Sequence, residues 1–268
     1  MIKRILIIAA LWFAAGTAYA DDWTYTLRPG DELWSVAKTY CGSARLADEI
    51  ARYNNIADPA LVRAGTRIRI PTGWLAFAPT HAEIIGMAGT VQYLADVSAN
   101  TRPAAAAHGQ KIAMGTTLIT AEGSALVQFA DGSRLTIQPH SRVLFNKLTA
   151  FGPAGMVDTH LRFAYGNGTS NVQPQNRGDR FRIETPEGVA AVRGTEFRVG
   201  YTAADKLATT ETLEGEVAFI ASATTTTLPD GFGVAASHVV LSKSPYCRHR
   251  TCVTPKSIPP TIRSTGSR

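Results

Sequence analysis

The side chains that could carry out catalysis are few in this chain and widely spaced. Its six histidines, His81, His108, His140, His160, His238 and His249, stand singly. No two fall at the i, i+4 interval that sets a pair of metal ligands on one helix face. A serine nucleophile on a G-x-S-x-G elbow and a glycine-rich phosphate loop are both missing from the sequence. Of the three cysteines, Cys247 and Cys252 are the natural pair for a disulfide and Cys41 is left over. With His249 they offer only three candidates for a zinc site that takes about four ligands. No metal and no cofactor is expected, and the chemistry on offer is neutral hydrogen bonding, which suits binding better than catalysis. Catalytic groups can meet only in the fold, so an enzyme stays as a rival reading.

Charge narrows the partners. The 268 residues include 27 basic and 21 acidic side chains. Six of the basic residues, Lys243, Arg248, Arg250, Lys256, Arg263 and Arg268, lie beyond position 240 with no acid, and Lys3 and Arg4 lie in the leader. The remaining 19 basic and 21 acidic residues leave a body of net charge −2, which has no broad positive field to hold nucleic acid. Met1 to Ala20 has the form of a cleavable export signal: Lys3 and Arg4, an apolar run from Ile5 to Ala15, then Ala18-Tyr19-Ala20. Beyond it no apolar run reaches the length of about 20 residues that crosses a bilayer. The mature chain is expected in the periplasm, starting at Asp21, with no transmembrane span.

The elements that must position any site divide in two. In residues 21–73, Trp23, Tyr25 and Leu27 alternate in a short strand that Pro29-Gly30 ends. Asp31 stands where it could cap a helix bearing Leu33, Val36, Ala37 and Tyr40 on one face, with Trp34 read as core. Gly42 stops that helix, and Ser43 could cap a second one bearing Leu46, Ala47, Ile50 and Tyr53. Ile68 and Ile70 mark a closing strand before Pro71. The order is strand, helix, helix, strand. In residues 74–240 the period switches to short alternating runs between turn residues, which predicts an all-β domain, either a sandwich or a short β-solenoid. Strands are expected at Leu161 to Tyr165, Phe181 to Glu184, Val189 to Val192, Glu196 to Tyr201, Ala208 to Leu213 and Glu216 to Ile220. A two-residue Asp131-Gly132 turn is expected between the runs at Ala125 to Phe129 and Leu135 to Ile137. From Leu241 the Ser, Thr, Pro and basic residues predict a disordered tail over 241–268. That tail is either a basic arm for anionic polymers or the truncated end of a longer repeat. The fold class is α+β.

The first unit resembles the LysM family. Tyr25-Thr26-Leu27 leading to Pro29-Gly30-Asp31-Glu32-Leu33-Trp34 is similar to its opening. Asn54-x-Ile56-x-Asp58-Pro59 and Gly65-x-x-Ile68-x-Ile70-Pro71 are similar to its close. The resemblance implies binding to N-acetylglucosamine polymers, chiefly peptidoglycan. It places the groove between Gly30, Asp31, Glu32 and Leu33 on one side and Asn55, Ile56, Ala57 and Asp58 on the other. Glu32 stands where the family more often has Thr or Ser. Gly30 and Pro59 also have a plain role in turn geometry, and Asn54 in ending a helix. The second unit resembles FecR domains of envelope proteins over residues 81 to about 221. The matching residues run from Gly115-x-x-Leu118 through Gly123-x-Ala125-x-Val127-x-Phe129-x-Asp131-Gly132-Ser133. They continue with Phe181-x-Ile183-x-Thr185-Pro186, Ala191-Val192-Arg193-Gly194-Thr195-x-Phe197 and Gly215-x-Val217. Asp131-Gly132-Ser133 and Arg193-Gly194-Thr195 read as turns, with Arg193 satisfying local carbonyls. Met87-x-Gly89-x-Val91-x-Tyr93 and Leu213-x-Gly215-x-Val217-x-Phe219 share a spacing that suggests similar strand entries. Together the two resemblances imply a non-catalytic exported protein that binds peptidoglycan and presents a β domain to an envelope protein partner. The alternatives are an envelope sensor acting through a separate membrane protein and, since many peptidoglycan hydrolases carry LysM modules, a hydrolase of that polymer.

Overall fold

The computed structural model describes residues 22–95, 102–175, 179–222 and 224–237, and the backbone of Leu241–Pro245. The segment expected to be an export signal, Cys247, Cys252, His238 and His249 lie outside these residues. The chain forms two compact units that meet in sequence at Ala76 and Phe77. No helix among the described residues is long and apolar enough to cross a membrane.

In the first unit, strands Asp22–Thr26 and Arg67–Pro71 pair antiparallel, with Trp23 opposite Ile70 and Tyr25 opposite Ile68. Their apolar side chains face helices Leu33–Cys41 and Ala47–Tyr53. Leu33, Val36, Ala37, Ile50, Ile68 and Ile70 form the buried centre. Trp23, Tyr25 and Tyr40 close one side, with ring centroids 4.8–5.4 Å apart. The caps differ from expectation. The first helix is capped at Glu32, because Ser35 Oγ accepts from the Glu32 N–H at 3.2 Å and donates to its carbonyl at 2.8 Å. Ser43 precedes a 3₁₀ turn, Ala44–Leu46, and makes no side-chain cap bond. Trp34 is 52% exposed rather than core. It lies one residue off the buried stripe of its helix, so the turn that buries Leu33 points the indole outward.

The second unit is all β, in two sheets. One contains Val91–Leu94, Thr117–Thr120, Ser141–Phe151, Arg180–Thr185, Gly188–Val192, Glu216–Ala221 and Thr224–Pro229. The other contains Ala82–Ala88, Ser124–Gln128, Arg134–Ile137, Glu196–Thr202, Leu207–Glu214, Phe232–Ser237 and Leu241–Pro245. Met156–Asn171 belongs to both. Its first half pairs with Ser141–Phe151 and, in parallel, with Arg180–Thr185; its second half pairs with Arg134–Ile137 and Glu196–Thr202. The core between the sheets includes Phe145, Phe163, Phe181, Phe197 and Phe219, all fully buried.

The chain passes from one sheet to the other at single residues with left-handed backbone: Gly89, His140, Gly166, Gly194, Gly215 and Gly231. Gly89 and Gly215, the shared spacing seen in the sequence, are two such corners. At Gly166 a side chain would overlap Ser141. Ser141 Oγ accepts the Asn167 N–H at 3.0 Å, and Thr120 Oγ1 accepts the Ser141 N–H at 2.9 Å. This leaves the corner no room.

Three further expectations are corrected. The Asp131 hairpin has a three-residue loop, because Gly132 N–H bonds Phe129 O and Phe129 N–H bonds Ser133 O. Gly132, at φ +82°, supplies the left-handed position that such a loop requires. At the Arg193 turn, Arg193 is exposed, and the side chain that bonds a carbonyl is Thr195, to Glu216 at 3.0 Å. The segment after Leu241 does not start unstructured, since Leu241–Pro245 pairs with Phe232–Ser237. We expect Gly166→Ala, which adds both overlap and a strained φ, to lower stability by ~3 kcal/mol. Gly109→Ala, at φ +77° with open space around it, should cost about 1 kcal/mol; urea unfolding midpoints measure both.

Candidate functional site

The turn after the first strand is held by one carboxylate. Asp31 Oδ2 accepts the Tyr25 hydroxyl at 2.6 Å and the Arg28 N–H at 2.7 Å, while the Asp31 N–H closes the turn onto Arg28 O. Asp31 therefore braces the loop against the strand, and the helix cap is left to Glu32. The Tyr25 bond, then the Arg28 bond, hold the Asp31 carboxyl below its ordinary range. Burial, with the bond to Asp31, raises the Tyr25 phenol. Gly30 takes φ +86°, a value open to glycine without strain.

The facing loop is held by an amide. Asn54 ends the second helix, as its sequence position suggests, and donates to Ile50 O at 2.8 Å and Arg69 O at 2.7 Å. Its Oδ1 accepts the Arg69 N–H at 2.7 Å. All of these are bonds within the fold, so Asn54 anchors the loop to the second strand. Asn55 follows at φ +56°, a conformation Asn tolerates better than most residues. The Ile56 N–H then bonds Ala51 O at 2.9 Å, and Asp58 Oδ1 caps the Ala60 N–H at the 3₁₀ turn Pro59–Leu61.

These braces leave Gly30, Glu32, Asn55, Ala57 and Asp58 exposed and Ile56 half-buried. Leu33 is 1% exposed, so it can offer a ligand only backbone groups. The uncharged elements, the glycine, the amide and the small apolar residues, suit an N-acetylated sugar. Sequence reasoning missed Trp34. Its indole N–H donates to a Glu32 carboxylate oxygen, which places an exposed ring and the residue that departs from the family pattern side by side. The off-stripe position of Trp34 was the signal that could have revealed it.

Among the described residues no group of three or more His, Cys, Asp or Glu is placed to hold a metal. Cys41 ends the first helix, half-buried, and burial pushes its thiol up to about 11.

Comparison with known proteins agrees with this architecture. Residues 25–71 match the model of the LysM domain, and residues 116–218 match the family described as FecR protein. The chain thus contains a LysM domain and a FecR domain. A protein of Deinococcus radiodurans described as uncharacterized is 44% identical over 50 residues, 19% of this chain and 20% of that protein. The chain thus spans about a fifth of that relative's length. Two crystal structures of a "putative anti-sigma factor" from Parabacteroides distasonis align with TM-scores of 0.40 and 0.41 at 15% identity. Each alignment covers 48% of this chain and 58% of the other.

Two outcomes follow from the braces. Tyr25→Phe should cost ~1 kcal/mol and raise the Asp31 pKa part of the way back to its ordinary range, as read by NMR titration, since the Arg28 bond remains. Because the folded Asp31 pKa is lowered, its bonds stabilise the native state above the unfolded value and lose that effect as pH falls through the folded value. The variant should therefore show a weaker loss of stability in acid. Alkylation of Cys41 by iodoacetamide at pH 8, followed by peptide mapping, should run on the order of a hundredfold slower than for an ordinary thiol.

Proposed function

We propose that this is a non-catalytic protein of the bacterial periplasm, exported by a cleaved signal. It holds peptidoglycan through the LysM domain and presents the FecR domain to a protein partner. The observation that carries the reading is the LysM match over residues 25–71, joined to two loops whose anchors, Asp31 and Asn54, spend their polar groups inside the fold. The neighbouring exposed residues stay free for a glycan. In this reading Gly30, Asp31, Glu32 and Leu33 form one wall of the groove and Asn55, Ile56, Ala57 and Asp58 the other. The N-acetyl methyl packs on Ala57 and Ile56, and the amide bonds to backbone groups.

LysM and FecR are binding and regulator-like families without catalysis of their own, which supports placing no chemistry here. The FecR match over 116–218 also supports a regulatory form of the same reading, in which the partner is a membrane protein that relays a signal.

Sedimentation with insoluble cell-wall sacculi tests the proposal. The mature chain should pellet with sacculi. Ala57→Trp, a change at an exposed position that fills the groove, should weaken pelleting at least about tenfold, a difference of ~1.4 kcal/mol, with an unchanged far-UV circular dichroism spectrum. Equal pelleting of both proteins would remove the groove from the reading.

A further inference from the structure

Residues 22–76 contain six aromatic side chains, and five of them are engaged inside the LysM unit. Trp23, Tyr25 and Tyr40 pack on one another, and Tyr53 meets Trp74 edge to face at 5.7 Å. Trp34 is the sixth. Its side chain is 52% exposed, and among the described residues no second ring and no cation lies over it. The fold gains nothing from that apolar surface while water covers it.

The ring is nonetheless held. Its indole N–H donates to a Glu32 carboxylate oxygen, and Glu32 is fixed at the helix N-cap by its paired bonds with Ser35. This orders the indole before a ligand arrives, which lowers the cost of binding one. Glu32 is itself exposed. A carboxylate has about four lone-pair sites, more than the indole and the capping box use, so it can accept a further donor. An open aromatic face therefore stands beside an open acceptor.

We propose that Trp34 is a stacking platform for a second sugar of the glycan, the pyranose ring next to the one whose N-acetyl group enters the groove. Glu32 accepts a hydroxyl from the rim of that ring. The inference rests on the reading of the LysM domain as the glycan-binding unit, in which Glu32 belongs to the first wall. The indole thus continues that wall directly. In a β-linked glucosamine ring every substituent is equatorial, so its faces present C–H groups and its rim presents polar ones. An apolar ring with an acceptor at its edge matches both. A lipid surface matches neither, because acyl chains would desolvate the Glu32 carboxylate without offering it a donor, and anionic headgroups would meet a like charge.

The test follows the isotope-labelled mature chain by NMR as chitotetraose is added. The indole N–H peak of Trp34, identified by its loss in Trp34→Phe, should shift together with the backbone peaks of Asn55, Ile56, Ala57 and Asp58. Trp34→Ala should shift the same loop peaks with affinity weakened about tenfold. Its spectrum without sugar should match that of the native chain away from the substitution. Trp34→Phe keeps an aromatic face and should stay within about threefold of the native affinity. Loop peaks that move while the indole peak stays fixed, or equal affinity in Trp34→Ala, leave the groove standing and overturn this inference. An indole peak that moves with phosphatidylglycerol vesicles and not with chitotetraose overturns it in favour of a lipid surface. If chitotetraose moves neither the loops nor the indole of the folded chain, the glycan reading falls and this inference falls with it.

Discussion

The FecR unit depends on one strand serving two sheets. Met156–Asn171 enters as a member of one ladder and leaves as a member of the other, so its backbone must turn without losing its hydrogen bonds. Gly166 makes the turn, Ser141 takes up the freed Asn167 N–H, and Thr120 holds Ser141 in place, donating in turn to Gln138 O at 2.6 Å. Ser141 and Thr120 are almost fully buried, and a buried donor without an acceptor would cost ~1–3 kcal/mol. In the core between the sheets that this corner joins, Phe145, Phe129, Phe181 and Phe197 touch in series. Phe129 and Phe181 lie 5.3 Å apart and edge to face. The same rule repeats at Gly89, Gly194, Gly215 and Gly231, where hairpins of one sheet hand the chain to the other.

The LysM unit solves a different problem with the same economy of parts. It has only two strands and two short helices, so its loops cannot rely on a large core. Each is tied by a single polar side chain instead, Asp31 in the first and Asn54 in the second. The tie engages the anchoring residue inside the fold and leaves its neighbours exposed. A family signature therefore mixes two kinds of residue, those exposed in the loops and those that brace them.

Much of this was legible in the sequence wherever the pattern and the fold share a period. The alternation at Ala125 to Phe129 and Phe181 to Glu184, and the helical stripe Leu33-Val36-Ala37, mark elements the structure contains. Ser141–Phe151 was hidden because its register shifts between Phe145 and Lys147. The buried residues change phase there, from Val143 and Phe145 to Leu148, and Phe151 returns to the first phase, so no single period fits. The second half of Met156–Asn171 reads as a loop from Gly166, Asn167 and Gly168, yet it is a strand whose inward positions, Gly168 and Ser170, are small. Leu241–Pro245 pairs through its backbone with no alternation to announce it. At the site, the loops were legible from their motifs, while the outward Trp34 and the brace made by Asp31 depended on partners that only the fold brings near.

The corners also set where this domain can change in length. A side chain added at Gly89 would come within 2.8 Å of Gly123 Cα, and one at Gly194 within 2.8 Å of Pro174 Cα, so these corners accept no bulkier residue. The hairpin between Glu196–Thr202 and Leu207–Glu214 is different, because Ala203, Ala204, Asp205 and Lys206 are all exposed. Evolution or an engineer can lengthen that bend, graft a reporter there or attach a fluorophore. The close-packed junctions at Gly89, Gly166 and Gly194 admit none of these.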